Sequence, residues 1–302
     1  MTNLLATFGP NLEFGKNLAS LTSYRTGGKA RYFLSATSAD EVARGIQAAR
    51  RLGIPSYVIG GGSNLLVSDA GYDGLIIKVD VSGMRLADPT TIECGAGEDL
   101  MALVDFATQN ELAGLEFAAG IWGSVGGAIY GNAGAYGGEI GTILRSAIVV
   151  SPEGVVKEVG RDYCRFAYRD SYLKVTHEVV VTASFGLSKG DKIAIESRVK
   201  EVLASREQKH PNELTAGCFF KNIPDPKEPH GKLPAGRLLE QVGVKELSVG
   251  GAKVYEKHAN IIVNTGSATS QDIRKLADIM KQRVKDRFGI ELQEEVQQLG
   301  TF

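Results

Sequence analysis

The chain has 302 residues, of which 43% are hydrophobic and 23% charged, so it has the apolar material for folded cores and is not a disordered protein. A formal net charge of −1 excludes the broad basic surface that binds nucleic acid or an anionic membrane. The three cysteines, Cys94, Cys164 and Cys218, are odd in number and lack CxxC spacing, which argues against a disulfide framework or a zinc site.

The N-terminal segment is not expected to be a secretory signal. Residues 1–17 lack a basic region followed by a sustained apolar run. No apolar stretch in the chain approaches the ~20 residues that a membrane-spanning helix needs. We therefore expect a cytoplasmic protein without membrane insertion, made of two or three domains at the usual ~100–200 residues each.

Strands and helices alternate over the first eighty residues. A loop with Gly27 and Gly28 leads into a strand from about Ala30, and the apolar spacing of 41–53 predicts a helix that ends at Gly53. Short apolar strands are expected next, at 57–59 and 74–79. This order of elements is typical of an α/β or α+β fold.

A glycine loop, GGGSN at 60–64, follows the strand at 57–59 directly. It does not have the GxGxxG spacing of a dinucleotide fold, and GxxxxGK[ST] occurs nowhere in the chain. Successive glycine-flanked amides can form a concave surface for an anion. The same residues are equally typical of a hairpin turn, so both interpretations stay open here.

The segment 113–139 is the most unusual stretch of the chain, because glycine recurs through it with alanine and serine in most other places. Glycine loses backbone entropy on folding and buries no side chain, so such a run fits places where the main chain turns sharply or approaches a ligand. We favour a cofactor cradle. The alternative is a tight crossing of a helix and a strand that leaves room only for small residues.

The remaining elements follow from periodicity and from turn residues. A composition shift near 189–192, where a long helix begins, marks the clearest domain boundary. The predicted elements are a helix at 98–112, strands at 144–152, 155–160 and 178–187, a helix at 192–209, a helix near 234–243, a strand within 257–264 and an amphipathic helix at 270–288 that ends at Gly289.

Seven motifs, taken in order, connect the chain to one known family. They are GGGSNLL (60–66), GSVGGAIYGNAGAYGGE (123–139), YRDS (168–171), AGCFFKN (216–222), LPAGRLLEQ (233–241), HANIIVN (258–264) and LQEEV (292–296). In this order they resemble the flavin-dependent UDP-N-acetylenolpyruvoylglucosamine reductases, or UDP-N-acetylmuramate dehydrogenases, of bacterial cell-wall synthesis, in their shorter subtype. Trp122 and Gly131 depart from the family pattern, which has proline and methionine there.

The resemblance implies an α+β flavoprotein in three parts. Two FAD-binding subdomains of the vanillyl-alcohol-oxidase (PCMH) type would occupy 1–80 and 81–192. A substrate-binding α+β domain would occupy 193–302, with its extreme C-terminus returning to the FAD part. In such a fold, loop amides hold the FAD diphosphate instead of a Rossmann helix.

The implied FAD is noncovalent, because the predicted FAD loops contain neither cysteine nor any of the histidines His177, His210, His230 and His258. The resemblance assigns these residues to FAD contacts: Tyr57, Gly60, Gly61, Gly62, Ser63, Asn64, Leu65, Gly120, Gly123, Ser124, Gly126, Gly127, Ala128, Asn132, Ala133 and Gly134.

The implied reaction reduces the enolpyruvyl ether of UDP-N-acetylglucosamine to UDP-N-acetylmuramate, with NADPH as co-substrate and the hydride passing through the flavin. The family pattern assigns Arg169 and Glu295 to the substrate carboxylate, where negative charge develops, and Cys218 to proton donation. The residue types suit these tasks. A guanidinium stays protonated, a thiol of pKa ~8.5 is a better acid than an alcohol, and a neighbouring carboxylate raises the pKa of a glutamic acid.

Without the resemblance, each of these residues has a plainer explanation. Arg169 would form an ion pair with a neighbouring acid, and Cys218 would be a small buried side chain. Glu295 would belong to a solvated acidic tail, in which Glu291 and Glu294 compete for the same role. The choice of Glu295 depends on the alignment of LQEEV.

The resemblance also implies substrate contacts at Tyr168, Lys209, Asn222, Arg237 and His258. Lysine and arginine suit a diphosphate, and asparagine suits a sugar or a carboxylate. The chain has no room for the extra tyrosine-bearing loop of the longer subtype, so we expect Arg237 to contact the diphosphate. We also expect a monomer, with the UDP-sugar substrate and NADPH as its partners.

Two other functions fit the glycine loops. A flavin oxidase on the same FAD fold would have a different C-terminal half, whereas this chain has AGCFFKN and LQEEV. A regulator that only binds nucleotides would have lost Arg169, Cys218 or Glu295, and all three are present.

Overall fold

The computed structural model describes residues 2–228 and 231–302, so His230 lies outside the described residues. The described residues form two compact units. Unit 1 lies within Met1–Lys16, Ala30–Gly61 and Asp73–Arg206, and unit 2 lies within Asn17–Lys29, Gly62–Tyr72 and Glu207–Phe302. The chain therefore leaves unit 1 for unit 2 inside the GGGSN loop, between Gly61 and Gly62. The three-part division at 1–80, 81–192 and 193–302 stays a prediction.

The helices and strands follow each other in mixed order. The α-helices of the described residues are α1 (Thr2–Phe8), α2 (Ala39–Arg51), α3 (Leu100–Gln109), α4 (Val125–Tyr130), α5 (Ile140–Ile143), α6 (Leu173–Thr176), α7 (Lys192–Lys209), α8 (Ala235–Gln241) and α9 (Ser270–Phe288). The strands are β1 (Leu12–Asn17), β2 (Lys29–Ala36), β3 (Ser56–Ile59), β4 (Leu65–Val67), β5 (Tyr72–Val79), β6 (Met84–Asp88), β7 (Thr91–Gly95), β8 (Leu112–Ala113), β9 (Gly134–Ala135), β10 (Gly138–Glu139), β11 (Leu144–Val150), β12 (Val156–Gly160), β13 (Val179–Gly186), β14 (Ser188–Lys189), β15 (Ile223–Pro224), β16 (Lys232–Leu233), β17 (Ser248–Val249), β18 (Ala252–Val254), β19 (Ile262–Asn264) and β20 (Gln297–Leu299). Over 2–228 and 231–302, no helix has the length and apolar character needed to cross a membrane.

A four-stranded sheet in unit 1 carries the first glycine loop at the end of one strand. Its strand order is β1-β2-β5-β3, and β3 runs parallel to β5 with Tyr57 opposite Ile76. Helix α2 begins at the N-cap Ser38, whose side chain accepts a hydrogen bond from the Glu41 amide. Gly45 in this helix packs closely on β5, because a Cβ there would lie 3.0 Å from Ile77 Cδ1.

A five-stranded antiparallel sheet forms the second layer of unit 1, in the order β12-β11-β13-β7-β6. The predicted strands at 144–152, 155–160 and 178–187 correspond to β11, β12 and β13. Strands β6 and β7 were not predicted. In β6 (MRLAD) four of the five residues are exposed, and the segment is too short to show a sustained alternation of apolar and polar residues.

Unit 2 packs a three-stranded sheet, in the order β17-β18-β19, with helices α8 and α9 around its own core. Tyr24, Leu66, Phe219 and Phe220 are almost fully buried in that core. Helix α9 has a capping box at Thr269 and ends, as predicted, at Gly289, whose φ of +70° is left-handed. The C-terminal strand β20 pairs in parallel with β4, which follows the glycine loop.

Candidate functional site

The two predicted FAD loops meet at backbone distance in unit 1. A Cβ on Gly61 would lie 2.8 Å from Gly123 Cα, and one on Gly60 would lie 2.3 Å from Ser124 Oγ. Ser124 caps α4, accepting from the Gly127 amide at 3.3 Å, and it also accepts from the Gly61 amide at 3.2 Å. The short helix α4 inside the glycine run was not predicted, since its residues VGGAIY include two glycines. At these positions a tight crossing by itself explains the need for glycine.

The rest of the glycine run forms a hairpin of β9 and β10. Tyr136 and Gly137 are its two turn residues, with φ of +50° and +86°, as a turn between two short antiparallel strands requires. A Cβ on Gly137 would meet nothing within 4 Å. The guanidinium of Arg206 lies 5.4 Å from the Tyr136 ring centroid, which holds the exposed tyrosine against α7.

Asn132 connects this run to the YRDS motif. Its side chain is 1% exposed, donates to the Ala167 carbonyl at 2.9 Å and accepts from the Gly141 amide at 2.9 Å. Ser171 adds a second tie by donating to the Tyr130 carbonyl at 2.8 Å. The predicted cofactor contact Asn132 therefore uses its amide to shape the loop.

The YRDS motif forms a tight turn around Arg169. Ala167 and Asp170 pair through both backbone hydrogen bonds, so Tyr168 and Arg169 are the two central residues of the turn. Arg169 has a φ of +54°, a position that usually takes glycine, so its backbone is strained. Lys174 Nζ donates to the Arg169 carbonyl at 2.6 Å and thereby fixes the turn.

The Arg169 side chain lies beside the glycine run. Its Nη1 donates to the Gly134 carbonyl at 2.8 Å, and its Cζ lies 5.6 Å from the Tyr168 ring centroid. The turn therefore places a permanently charged fork of donors next to the predicted FAD loop, all within unit 1.

The loops of unit 1 suit a flavin dinucleotide. They present main chain with small side chains, and Gly60, Gly61 and Gly126 pack so closely on Ser124, Gly123 and Ala96 that a Cβ would lie 2.3, 2.8 and 2.9 Å from these neighbours. Backbone amides of this kind are suited to a diphosphate. Across the described residues, no cluster of three or more His, Cys, Asp or Glu residues is arranged to hold a metal ion.

Unit 2 brings the segments of Cys218 and Glu295 together. The amide of Glu295 donates to the Phe219 carbonyl at 2.8 Å, and the amide of Lys221 donates to the Gln293 carbonyl at 2.8 Å. The residue after Cys218 therefore pairs directly with Glu295. On its other side, Cys218 forms a bridge with Ile261, and its side chain is partly exposed.

Asn64 joins the C-terminal tail in the same unit. Its side-chain nitrogen donates to the Glu295 carbonyl at 3.0 Å, and its own carbonyl accepts from the Gln297 amide at 3.0 Å. Gly62, with φ of +64°, lies so close to Leu21 that a Cβ would be 1.9 Å from its carbonyl oxygen. The GGGSN loop is therefore held by packing on both sides of the boundary between Gly61 and Gly62.

Glu294, the neighbour of Glu295, is fully engaged elsewhere. Arg274 donates to both of its carboxylate oxygens, at 2.8 and 3.0 Å, and Gln298 donates to it at 2.6 Å. Burial would raise the pKa of Glu294, but the hydrogen bonds and charge of Arg274 outweigh burial and lower that pKa. Glu294 is therefore an ionised carboxylate locked in an ion pair.

The predicted substrate contacts of unit 2 have mixed surroundings. Asn222 Oδ1 accepts from the Ala235 amide at 3.1 Å, at the start of α8, and Arg237 forms a 2.6 Å ion pair with Glu228. His258 stacks on His210 with ring centroids 6.3 Å apart, and Lys209 is exposed at the end of α7.

The other two cysteines lie in the core of unit 1. Cys94 and Cys164 are buried, and burial raises the pKa of their thiols to about 12 and about 11. Such thiols stay protonated and unreactive at neutral pH. Cys218 is the cysteine with partial solvent access.

Sequence reasoning missed three residues that support this site: Ser171, Lys174 and Arg274. Ser171 belongs to the YRDS motif, so its place in the motif was an available signal. Lys174 follows Asp170 at a spacing of four, which could have suggested a local contact. Arg274 gave no signal, because a basic residue on an amphipathic helix is normally solvated.

The predicted site residues divide between the two units. Unit 1 holds Tyr57, Gly60, Gly61, Tyr168, Arg169 and the residues of the run from Gly120 to Gly134. Unit 2 holds Gly62, Ser63, Asn64, Leu65, Lys209, Cys218, Asn222, Arg237, His258 and Glu295.

Family models match both halves of the chain. One, described as "UDP-N-acetylenolpyruvoylglucosamine reductase, C-terminal domain", matches residues 209–299, and another, described as "FAD binding domain", matches residues 30–160. These matches, with the mixed helices and sheets, bear out the predicted α+β fold with a vanillyl-alcohol-oxidase-type FAD part and a separate C-terminal domain.

Named relatives are similar over nearly the whole chain. UDP-N-acetylenolpyruvoylglucosamine reductase of Desulforamulus reducens is 41% identical over 292 residues, which cover 96% of this chain and 94% of the relative. That of Heliobacterium modesticaldum is 41% identical over 303 residues, covering 99% and 94%. The crystal structure of UDP-N-acetylenolpyruvylglucosamine reductase from Thermus caldophilus superposes with a TM-score of 0.78 at 31% identity, covering 96% of this chain and 98% of that one.

A more distant structure shares only the fold. Wild-type Phl p 4.0202, a glucose dehydrogenase, matches with a TM-score of 0.51 at 15% identity, over 72% of this chain and 51% of the other.

Proposed function

The chain belongs to the UDP-N-acetylenolpyruvoylglucosamine reductase family, and from that membership we propose that it uses FAD and NADPH to reduce the enolpyruvyl ether of UDP-N-acetylglucosamine. The product is UDP-N-acetylmuramate, a precursor of peptidoglycan. The enzyme is an oxidoreductase that acts on a carbon–carbon double bond. We expect it to work in the cytoplasm as a monomer.

One observation carries this proposal beyond family membership. Within unit 2, the segment that starts at Cys218 pairs with the segment that contains Glu295, through the Glu295 amide and the Phe219 carbonyl at 2.8 Å. The two segments that carry the proposed acids, far apart in the sequence, are therefore held together. A reaction that adds hydrogen across an enol ether needs such a pair, one to protonate carbon and one to stabilise the carboxylate.

The noncovalent FAD would lie along the glycine loops of unit 1, whose crossing is fixed where the Gly61 and Gly127 amides donate to Ser124 Oγ. When bound, FAD supplies the two-electron transfer from NADPH to the terminal CH2 of the substrate. The protein's own groups hold the cofactor, orient the substrate and move one proton.

Three side chains have roles at the reacting group. Arg169 donates to the substrate carboxylate and stabilises the charge that develops there as electrons enter the double bond. Cys218 gives its proton to the carbon that carries the ether oxygen. Glu295, in its protonated form, donates a hydrogen bond to the same carboxylate.

Four further residues take the nucleotide and sugar in this proposal: Lys209, Asn222, Arg237 and His258. Tyr168 holds Arg169 or the nicotinamide. Arg237 suits the diphosphate because its ion pair with Glu228 lies near the surface, with the arginine side chain 48% exposed, and can exchange for a phosphate. Asn222 keeps its amide nitrogen for the ligand while its oxygen holds α8.

A titration of the purified protein tests the proposal. The protein is expected to be yellow, to bleach under anaerobic conditions when NADPH is added, and to regain its colour when the enolpyruvyl sugar nucleotide follows. A colourless protein that takes up no FAD contradicts the flavin assignment. A bleached protein that only oxygen reoxidises contradicts the substrate and points to an oxidase.

A further inference from the structure

The Arg274–Glu294 ion pair has no part in the function proposed above. It nevertheless involves the residues next to both proposed acids, Phe219 beside Cys218 and Glu294 beside Glu295. Arg274 lies on α9, and its side chain is only 12% exposed. A charged group at such depth must be paired, and Arg274 binds Glu294 through two parallel hydrogen bonds of 2.8 and 3.0 Å. Its Nε also donates to Asp278 at 3.2 Å.

The pair contacts both segments that carry the proposed acids. The Arg274 guanidinium carbon lies 5.8 Å from the ring centroid of Phe219, the residue after Cys218. Its partner Glu294 is the residue before Glu295 and forms an antiparallel bridge with Phe220. One arginine thus binds the neighbours of Cys218 and of Glu295.

The backbone next to this pair is held by hydrogen bonds. The Glu295 amide donates to Phe219 and the Glu295 carbonyl accepts from Asn64, at 2.8 and 3.0 Å. With Glu294 fixed by Arg274 and Gln298, the direction of the Glu295 side chain follows from the backbone. The ion pair also occupies both carboxylate oxygens of Glu294.

We propose that Arg274 and Glu294 are positioning residues for the acid pair, because their ion pair fastens the 293–295 segment to the 219–221 segment and occupies the Glu294 carboxyl, which would otherwise compete with Glu295. This inference rests on the proposed function, since it gives Glu295 a chemical role. Loss of the pair moves Glu295 relative to Cys218, and a displacement of about 1 Å lowers a rate by as much as ~100-fold.

Arg274→Met and Glu294→Gln test this proposal in the full-length protein with FAD bound. We expect each to slow reoxidation of the reduced flavin by the enolpyruvyl substrate ~10-fold or more, with flavin reduction by NADPH changed less than ~2-fold. The combined Arg274→Met/Glu294→Gln variant is expected to be no slower than the slower single variant, because each substitution already removes the same Arg274–Glu294 ion pair. Arg274→Lys keeps the charge but not the fork, so it is expected to restore part of the rate.

Glu291→Gln is the matched control, because Glu291 is an acid of the same tail and its contacts with Lys281 and Lys285 of α9, at 3.7 Å each, are long. It is expected to react at the wild-type rate. Hydrogen exchange supplies a readout that does not depend on turnover. The amides of Glu295 and Lys221 are expected to exchange ~10-fold faster in Arg274→Met and at the wild-type rate in Glu291→Gln.

The outcomes separate this inference from the proposed function. If Glu295→Gln slows reoxidation while Arg274→Met and Glu294→Gln leave both reoxidation and amide exchange unchanged, the positioning role is wrong. If Glu295→Gln reacts like the wild type, the chemical role of Glu295 itself is wrong. Should Arg274→Met not fold, Glu294→Gln and Arg274→Lys decide the question by the same two measurements.

Discussion

At the scale of single residues, the site depends on backbone positions that only certain side chains tolerate. Gly61 lies against Gly123 with no space for a Cβ, and Arg169 occupies a left-handed turn position that usually belongs to glycine. The first case is a requirement of packing. The backbone of Arg169 is strained. Such strain is commonly found at residues that take part in a reaction, as Arg169 does in the proposed one.

Cys218→Ala separates the two half-reactions. We expect flavin reduction by NADPH to stay within ~2-fold of the wild-type rate, while reoxidation by the enolpyruvyl substrate slows ~100-fold or more, because the general acid is gone. Anaerobic stopped-flow absorbance of the flavin measures both steps. Cys164→Ala, which removes a buried thiol of unit 1, serves as the control and is expected to leave both steps unchanged.

Cys218→Ser gives a second check on the same role. Because a hydroxyl is a weaker acid that can still donate a proton, its reoxidation rate is expected to lie between those of Cys218→Ala and the wild type. Equal rates for Cys218→Ala and the wild type would remove Cys218 from the mechanism.

Gly61→Ala tests the close approach of the two glycine loops. The added methyl group would lie 2.8 Å from both Gly123 Cα and the Ser124 amide nitrogen, which are backbone atoms that cannot move aside. We expect a loss of ~1–3 kcal/mol in the free energy of unfolding and weaker FAD binding. Thermal unfolding and an FAD titration measure the two effects. Gly160→Ala, at a glycine with open space around it, should change neither.

At the scale of elements, the Arg169 turn is held from outside by one lysine. Lys174 donates to the Arg169 carbonyl at 2.6 Å and lies 3.6 Å from Asp170. The hydrogen bond stabilises the carbonyl of a residue with a strained φ, so the position of Arg169 depends on it.

Lys174→Met is therefore expected to lower the rate of substrate-driven reoxidation ~10-fold with a smaller effect on FAD content, since the hydrogen bond that is lost is the one to the Arg169 carbonyl. Stopped-flow rates and the flavin-to-protein absorbance ratio are the measurements. Asp170→Asn removes only the longer contact of Lys174 and serves as the control. A rate equal to the wild type in Lys174→Met would show that the turn holds without the lysine.

How much the sequence predicts depends on the kind of element. The long helix α7 was predicted to the residue, because it begins at a composition shift and has enough turns to show helical periodicity. The exposed strand β6 and the glycine-containing helix α4 were missed, because tertiary pairing and packing create them against weak local preference. The motifs identified Cys218 and Glu295, but their pairing through Phe219 depends on a contact between residues 76 positions apart, which no local pattern encodes.

At the scale of the whole molecule, buried titratable groups make the fold sensitive to acid. Burial lowers the pKa of His258, and the positive charges of Lys245 and Lys209 lower it further, against the Glu240 carboxylate that raises it. Hydrogen bonds and charge from Lys157 and Arg274 outweigh burial and lower the pKa of Glu178 and Glu294.

The pKa shift has the same direction in His258, Glu178 and Glu294. Each has a folded pKa below its unfolded value, so the unfolded chain binds more protons and stability falls as the pH falls. As the pH falls, protonation of His258 in the unfolded chain lowers the stability first, below its unfolded pKa of ~6.5. Protonation of the two glutamates lowers it further below ~4.3. We expect the urea midpoint to fall between pH 7.5 and 5.5, and to fall less in His258→Gln. His177→Asn, at an exposed histidine, is the control and should behave like the wild type. An unchanged slope in His258→Gln would contradict the assignment.

The order of segments in unit 2 has a consequence for how the protein is made. Its Asn17–Lys29 and Gly62–Tyr72 segments are synthesised well before their partners in Glu207–Phe302, and β4 pairs with β20, which follows it much later in the chain. Tyr24 and Leu66, both fully buried in the finished protein, therefore remain without their packing partners during most of translation. A nascent chain that has not yet reached Glu207 would expose these two side chains, and such an intermediate is a target for chaperones and proteases.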